Sequence, residues 1–284
     1  MKSKSKQTPQ PDPTAPLTYS VLQAVASGTA VESCDTVRLD YSNVSDGYVM
    51  AEKLVSTDKK YKARIEGPTC TYTFTLNEAG WTVMPLSDGN GRYVITLFEN
   101  VEGSKYASLF AVEADVSLKD EFAPFLRPNQ YVNYEAAPNT VNKGAELTRG
   151  MIAVNDKVIA VYDYITDNIT YDTDLAETAE SSYLPDLDSV LAAGKGICFD
   201  YAALMTAMLR SQGVPCKLVI GYAGTAYHAW ISVYSEEEGW VDKIKFDGKT
   251  WTRMDPTFAA GKANERSIAQ YVGNGSNYAE KYFY

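Results

Sequence analysis

The chain has 284 residues, 45% of them hydrophobic, and carries a formal charge of −10 from 36 acidic against 26 basic side chains. This length and apolar content support one or two domains with their own cores. The acidic balance, with no basic run interleaved with aromatics, excludes a surface built to follow a phosphate backbone, and no apolar run reaches the roughly 18 residues of a membrane span.

Residues 2–16 are polar and proline-rich, and the lysines near the start are followed by no apolar stretch of a signal peptide. Such a segment, residues 1–16, reads as a flexible tether holding a folded body away from a surface, or simply as disorder. With a leader absent from this chain the expected location is extracellular or at the cell surface; otherwise it is cytoplasmic.

From Thr36 to Leu118 the chain reads as short strands: 36–41, 48–51, 61–65, 72–76, 80–84, 92–97 and 106–112. Alternating, β-branched and aromatic residues mark them, and Asp46-Gly47, Gly67-Pro68 and Asp88-Gly89-Asn90-Gly91 punctuate them. About seven short strands predict an all-β sandwich over residues 17–128. Cys34 and Cys70 fall in this region and are expected as free, packed thiols, since spacing alone does not bring two Cα atoms within disulfide reach.

Past Pro138 the period changes. Ile152, Val154, Val158, Ile159, Val161, Tyr162 and Ile165 recur at helical spacing, which sets the domain boundary near Pro128 and a second domain at 129–284. A second helix is predicted from Cys198 to Gln212, with Tyr201, Leu204, Met205, Met208 and Leu209 as its apolar stripe and Gly213 and Pro215 ending it. Strands follow at 217–222, 227–234, 240–246 and 250–255. Alternation on the second puts His228 and Trp230 on one face and Ala229, Ile231 and Val233 on the other; on the last, Trp251, Arg253 and Asp255 share a face.

The chain holds a single histidine, His228, thirty residues after Cys198. A cysteine at a helix start meets unpaired backbone N–H groups and the positive end of the helix dipole, which favour thiolate over thiol. An imidazole docked beside it can take the proton and later return it to a leaving amine, and His228 is the only imidazole available. The other ring nitrogen needs an acceptor to fix its tautomer, a role that suits Asp255. The backbone N–H of Cys198 is the natural oxyanion donor. Asp200, in the first turn of the predicted helix, reads as a structural carboxylate, and Cys216 as a small buried hydrophobe. There is no CxxC pair and no Cys/His cluster, so neither a metal nor another cofactor is expected.

Gly196-Ile197-Cys198-Phe199-Asp200-Tyr201-Ala202, Met208 through Pro215, Gly221-Tyr222, His228-Ala229-Trp230 and Asp255-Pro256-Thr257 resemble, in order, the core motifs of the transglutaminase-like superfamily. The resemblance covers about residues 140–258; the strand region resembles, more loosely, the immunoglobulin-like domains that accompany this module in bacterial surface proteins. It implies an α+β chain: a papain-like transglutaminase core preceded by an all-β immunoglobulin-like sandwich. Cys198 would be the nucleophile, His228 the base and acid, and Asp255 the orienting acid.

The reaction so implied is cysteine-dependent acyl transfer on a peptide or carboxamide through a thioester, with a protein or peptide, in some settings at a cell surface, as substrate. Hydrolysis by a protease or amidase is the alternative, because water competes with the amine. A module that has kept the triad as architecture and acts in adhesion or as a scaffold is the third reading. The sequence does not address oligomeric state.

Overall fold

The computed structural model describes residues 8–180, 182–237, 239–241, 245–246, 251–252 and 278–284. The chain divides into two compact units, one of residues 22–130 with Tyr284, the other of residues 1–21 and 131–283.

The first unit is all β. Its strands are β1 (Val31–Ser33), β2 (Val37–Asp40), β3 (Tyr48–Lys53), β4 (Tyr61–Glu66), β5 (Thr71–Thr75), β6 (Thr82–Pro85), β7 (Gly91–Glu102) and β8 (Lys105–Val116). They form two antiparallel four-stranded sheets, ordered β1-β2-β3-β6 and β5-β4-β7-β8. Period-two alternation sends Tyr61, Ala63 and Ile65 of β4, Tyr72 and Phe74 of β5, and Tyr93, Ile95 and Leu97 of β7 into the core. Tyr284 joins that core edge-on to Tyr72 and Phe74, at centroid distances of 5.7 and 5.9 Å. All seven predicted strands are present. β1 escaped the sequence pattern because its three residues are exposed and carry no apolar alternation. Cys34 and Cys70 are not joined in a disulfide, and each is half-buried.

The Asp88–Gly91 turn shows why its residues are what they are. The Asp88 carboxylate accepts the backbone N–H groups of Thr69 and Cys70 and the Thr69 hydroxyl, pinning the β4–β5 hairpin to it. Gly91 adopts φ 144°, and a Cβ there would stand 2.6 Å from the Pro68 ring.

The second unit is α+β. In chain order it contains α1 (Pro138–Leu147), α2 (Val154–Asn168), β9 (Thr170–Tyr171), α3 (Thr173–Thr178), α4 (Leu187–Ala193), β10 (Lys195–Gly196) and α5 (Cys198–Arg210). β11 (Cys216–Ala223), β12 (Ala226–Ser235), β13 (Gly239–Val241), β14 (Lys245–Phe246), β15 (Trp251–Thr252) and β16 (Tyr278–Phe283) follow. The main sheet is antiparallel in the order β13-β12-β11-β16, while β14 pairs with β15 and β9 runs parallel to β10.

Helix α5 is the centre of this unit. It packs against α1, α2 and α4 and against β11 and β12. Every residue from Asp200 to Arg210 is buried, including Ala202, Ala203 and Ala207 opposite the predicted stripe, as expected of a helix covered on all sides. Where α1 crosses α5, a Cβ on Gly144 would lie 3.1 Å from the Met208 backbone, so a glycine there allows the closest approach. After Arg210 the chain turns through Gly213, at φ 74°, into β11.

Residues 8–21 differ from the expected tether. Asp12 N–H donates to Arg149 O at 2.9 Å, Ser20 N–H to Ser211 O at 2.8 Å, and the Gln212 amide to Thr18 O at 3.1 Å; the Arg149 guanidinium donates to Ala15 O. This strap caps the ends of α1 and α5, so composition alone misjudged it: proline-rich chain has its own polar backbone groups, and the open carbonyls at helix ends can use them. Deleting residues 1–21 is therefore expected to lower the stability of the second unit by about 1–3 kcal/mol, at roughly 1 kcal/mol per net hydrogen bond. Denaturant unfolding of the full and shortened chains checks this, and equal midpoints would contradict it.

Candidate active site

The approach to Cys198 is built by short-range constraints. Asp186 caps α4 by accepting Ser189 N–H, and α4 ends at Gly194 in the left-handed region, φ 60°. The two residues of β10 then pair with β9, Thr170 N–H donating to Gly194 O and Asp172 N–H to Gly196 O, both at 2.9 Å. Ile197 is the extended residue before the helix, and Cys198 is the first residue of α5. Its side chain is half-buried.

The first turn is held by Asp200, which is fully buried. One carboxylate oxygen accepts Ile197 N–H at 2.8 Å and the other accepts the Tyr183 hydroxyl at 2.7 Å. Gly196 makes room for it, since a Cβ there would be 2.7 Å from the Asp200 Cβ. One turn further in, Tyr201 donates its hydroxyl to Ile169 O at 2.7 Å, tying α5 to the end of α2. Phe199 packs between two aromatics, 5.8 Å from the Tyr131 ring and 6.4 Å from that of Tyr183. Asp200 is thus structural, as read from the sequence. Tyr183 was not singled out: it lies in a loop with no periodicity, and nothing in its spacing signals a partner on α5.

Burial pushes the Asp200 carboxyl up from its ordinary value, with the Ile197 N–H and the Tyr183 hydroxyl opposing and nearby Asp172 adding to the rise. The folded chain therefore keeps this proton to higher pH than the unfolded chain, and the group costs stability as pH rises above the ordinary carboxylate range. Asn at this position can still accept Ile197 N–H and can donate to the Tyr183 oxygen. Asp200→Asn is accordingly expected to gain stability relative to the wild type on going from roughly pH 4 to pH 8. Urea titrations across that range measure it; a parallel pH dependence in both proteins would show that the carboxyl is not perturbed.

His228 lies on β12, 7% exposed, opposite Gly221 of β11. Its ring stacks on Trp230 with 6.2 Å between centroids and 24° between planes, so the two share a face as alternation predicted. The strand is buried on both faces from His228 to Val233. Because α5 packs across β12, the fold brings together the element that begins with Cys198 and the strand that carries His228. Asp255, with the face it was expected to share with Trp251 and Arg253, lies outside the described residues.

Cys216 is fully buried at the start of β11, its thiol donating to the Thr206 hydroxyl, and burial pushes that thiol up to about 11. It is the inert packing residue the sequence suggested. Among the described residues, no three of His, Cys, Asp and Glu are grouped as a metal site would need, and no helix is long and apolar enough to cross a membrane.

Residues 142–256 match the family model of the transglutaminase-like superfamily. The uncharacterised protein YebA of Bacillus subtilis (strain 168) is 32% identical over 116 residues, 34% of this chain and 16% of YebA. A protein-glutamine gamma-glutamyltransferase of Pseudomonas aeruginosa is 26% identical over 106 residues, 32% of this chain and 14% of that enzyme. The chain thus aligns with a small part of each relative. Among solved structures, the periplasmic domain of TgpA from Pseudomonas aeruginosa, bound to ethylmercury, superposes with a TM-score of 0.40 at 16% identity, covering 75% of this chain and 94% of that one.

Proposed function

We propose that the protein is a cysteine acyltransferase acting on carboxamide or peptide carbonyls of protein substrates, a reading supported by the match of residues 142–256 to the transglutaminase-like family model. The observation that carries this reading is the placement of Cys198 as the first residue of α5, with α5 packed on the strand that holds the only histidine.

The Cys198 thiolate attacks the carbonyl carbon of the donor amide. The oxygen takes up the charge and is met by unpaired N–H groups of the first turn of α5, which have no partner within the helix. The imidazolium of His228 protonates the departing nitrogen, so ammonia or an amine leaves and a thioester remains on Cys198. His228, now neutral, takes a proton from an incoming amine, which attacks the thioester, forms the new amide and releases the thiolate. Asp255 is assigned the acceptor of the second ring nitrogen.

Cys198 is half-buried rather than enclosed, which keeps hydrolysis as the second reading: with water as acceptor, the same thioester gives a carboxylate. Incubating the protein with a glutamine peptide, with and without a labelled primary amine, tests both. Amine incorporation identifies the transferase, ammonia release without incorporation the hydrolase. An absence of either product, with Cys198 labelled no faster than the other three thiols, would refute the proposal.

A further inference from the structure

Trp230 is 3% exposed and lies two residues along β12 from His228. One side of the indole faces the imidazole. Tyr278 of β16 abuts it edge-on, with centroids 5.1 Å apart and planes at 88°. A third constraint comes from Gly221, the residue directly across from His228. A Cβ on Gly221 would stand 2.8 Å from the indole Cη2 and would also run into the Ala279 carbonyl. The space that a side chain beside His228 would fill is therefore taken by the Ala279 carbonyl and by the far edge of the indole, which reaches it diagonally across the strand pair.

The indole N–H is buried and has no acceptor among the described residues. Leaving such a donor unsatisfied costs about 1–3 kcal/mol, a cost that phenylalanine or leucine would not carry. Packing alone thus disfavours an indole here. What the double ring does, and a single ring cannot, is span from the gap over Gly221 to the imidazole face while Tyr278 holds its edge.

We propose that Trp230 is a positioning residue for His228: braced by Tyr278 and seated over Gly221, it fixes the plane of the imidazole and so the orientation of the two ring nitrogens. The inference rests on the reading of His228 as the base that serves Cys198.

The test compares the rate of iodoacetamide alkylation of Cys198 against pH, and the melting temperature, in the wild type and in His228→Ala, Trp230→Leu, Trp230→Phe and Tyr278→Ala. Leucine fills part of the space without a ring, phenylalanine restores one ring, and Tyr278→Ala removes the brace while leaving the indole. The Trp230→Leu profile is expected to move toward that of His228→Ala, with a rate at neutral pH about tenfold below wild type, because small misplacements of a reacting group are costly. Trp230→Phe, whose single ring cannot meet both the gap over Gly221 and the imidazole face, is expected to lie between Trp230→Leu and wild type, and so is Tyr278→Ala.

A Trp230→Leu protein that melts lower but alkylates with the wild-type profile would overturn the proposal and leave a packing role. If Trp230→Leu does not fold, Tyr278→Ala decides: a wild-type profile in that variant would likewise overturn it. A His228→Ala profile identical to wild type would instead refute the acyl-transfer reading itself.

Discussion

Replacing Cys198 by alanine is expected to remove all turnover and all rapid thiol labelling, while the melting temperature changes by no more than a degree or two. The chemistry is all-or-none because no other thiol can substitute. Cys216 is sealed at the far end of α5 with its thiol pushed up to about 11, and Cys34 and Cys70 belong to the β unit. The structural cost is small for three reasons. Cys198 is half-buried, it is the first helical residue, and alanine is the best helix former. The turn itself is held by Asp200 and Tyr183, which the substitution leaves in place. Mass spectrometry of iodoacetamide-treated protein reads out which cysteine reacts first, and calorimetry reads out the fold. Residual turnover in the alanine variant at more than about a thousandth of the wild-type rate, once a substrate is in hand, would remove Cys198 from the mechanism, since a lost nucleophile costs far more than that.

The parts of this architecture that the sequence made legible are those where one period dominates. Strands such as β4 and β5 stand out because each buries one face, and α5 stands out because its apolar run agrees with Gly213 and Pro215. Cys198 was read as a helix start and His228 as a strand residue sharing a face with Trp230, and the structure has both in those places. Elements whose residues are chosen by tertiary partners were not legible. α1 is capped from outside, its Asn139 and Thr140 N–H groups both received by Asp188 of α4 at 3.1 and 2.8 Å, so its own N-cap, Ala137, gives no signal. β9 and β10 are two residues each and exist only as a pair. Trp230 was read as a neighbour of His228 on the strand, but the glycine that seats it, nine residues upstream, takes on that meaning only once β11 and β12 are in register.

The largest stability effect is expected at Arg210, the last residue of α5. Its side chain is 1% exposed, and its Nε–H donates to the Cys216 carbonyl at 2.8 Å, joining the helix that begins with Cys198 to the first residue of β11. Burial lowers the guanidinium to about 10, with Tyr134 and Cys216 opposing, so at neutral pH the group is still charged. Arg210→Ala opens a cavity and leaves a buried carbonyl without this donor, together costing about 3–5 kcal/mol. In a unit of this size that is a fall in melting temperature on the order of 10 °C. Arg210→Met is expected to be much milder. It refills most of the volume and eliminates a desolvated charge, and these gains offset the lost hydrogen bond. Arg210→Lys should be worse than Met, because an ammonium is more strongly hydrated and lacks the planar fork. Cys198 is about 18 Å away along the helix, at 1.5 Å per residue. In every variant that remains folded, its alkylation rate is therefore expected to match wild type. Thermal melts of the three proteins give the order Ala, Lys, Met from least to most stable. A methionine variant as unstable as alanine would mean that the charged guanidinium and its donors, and not the volume, hold α5 to the sheet.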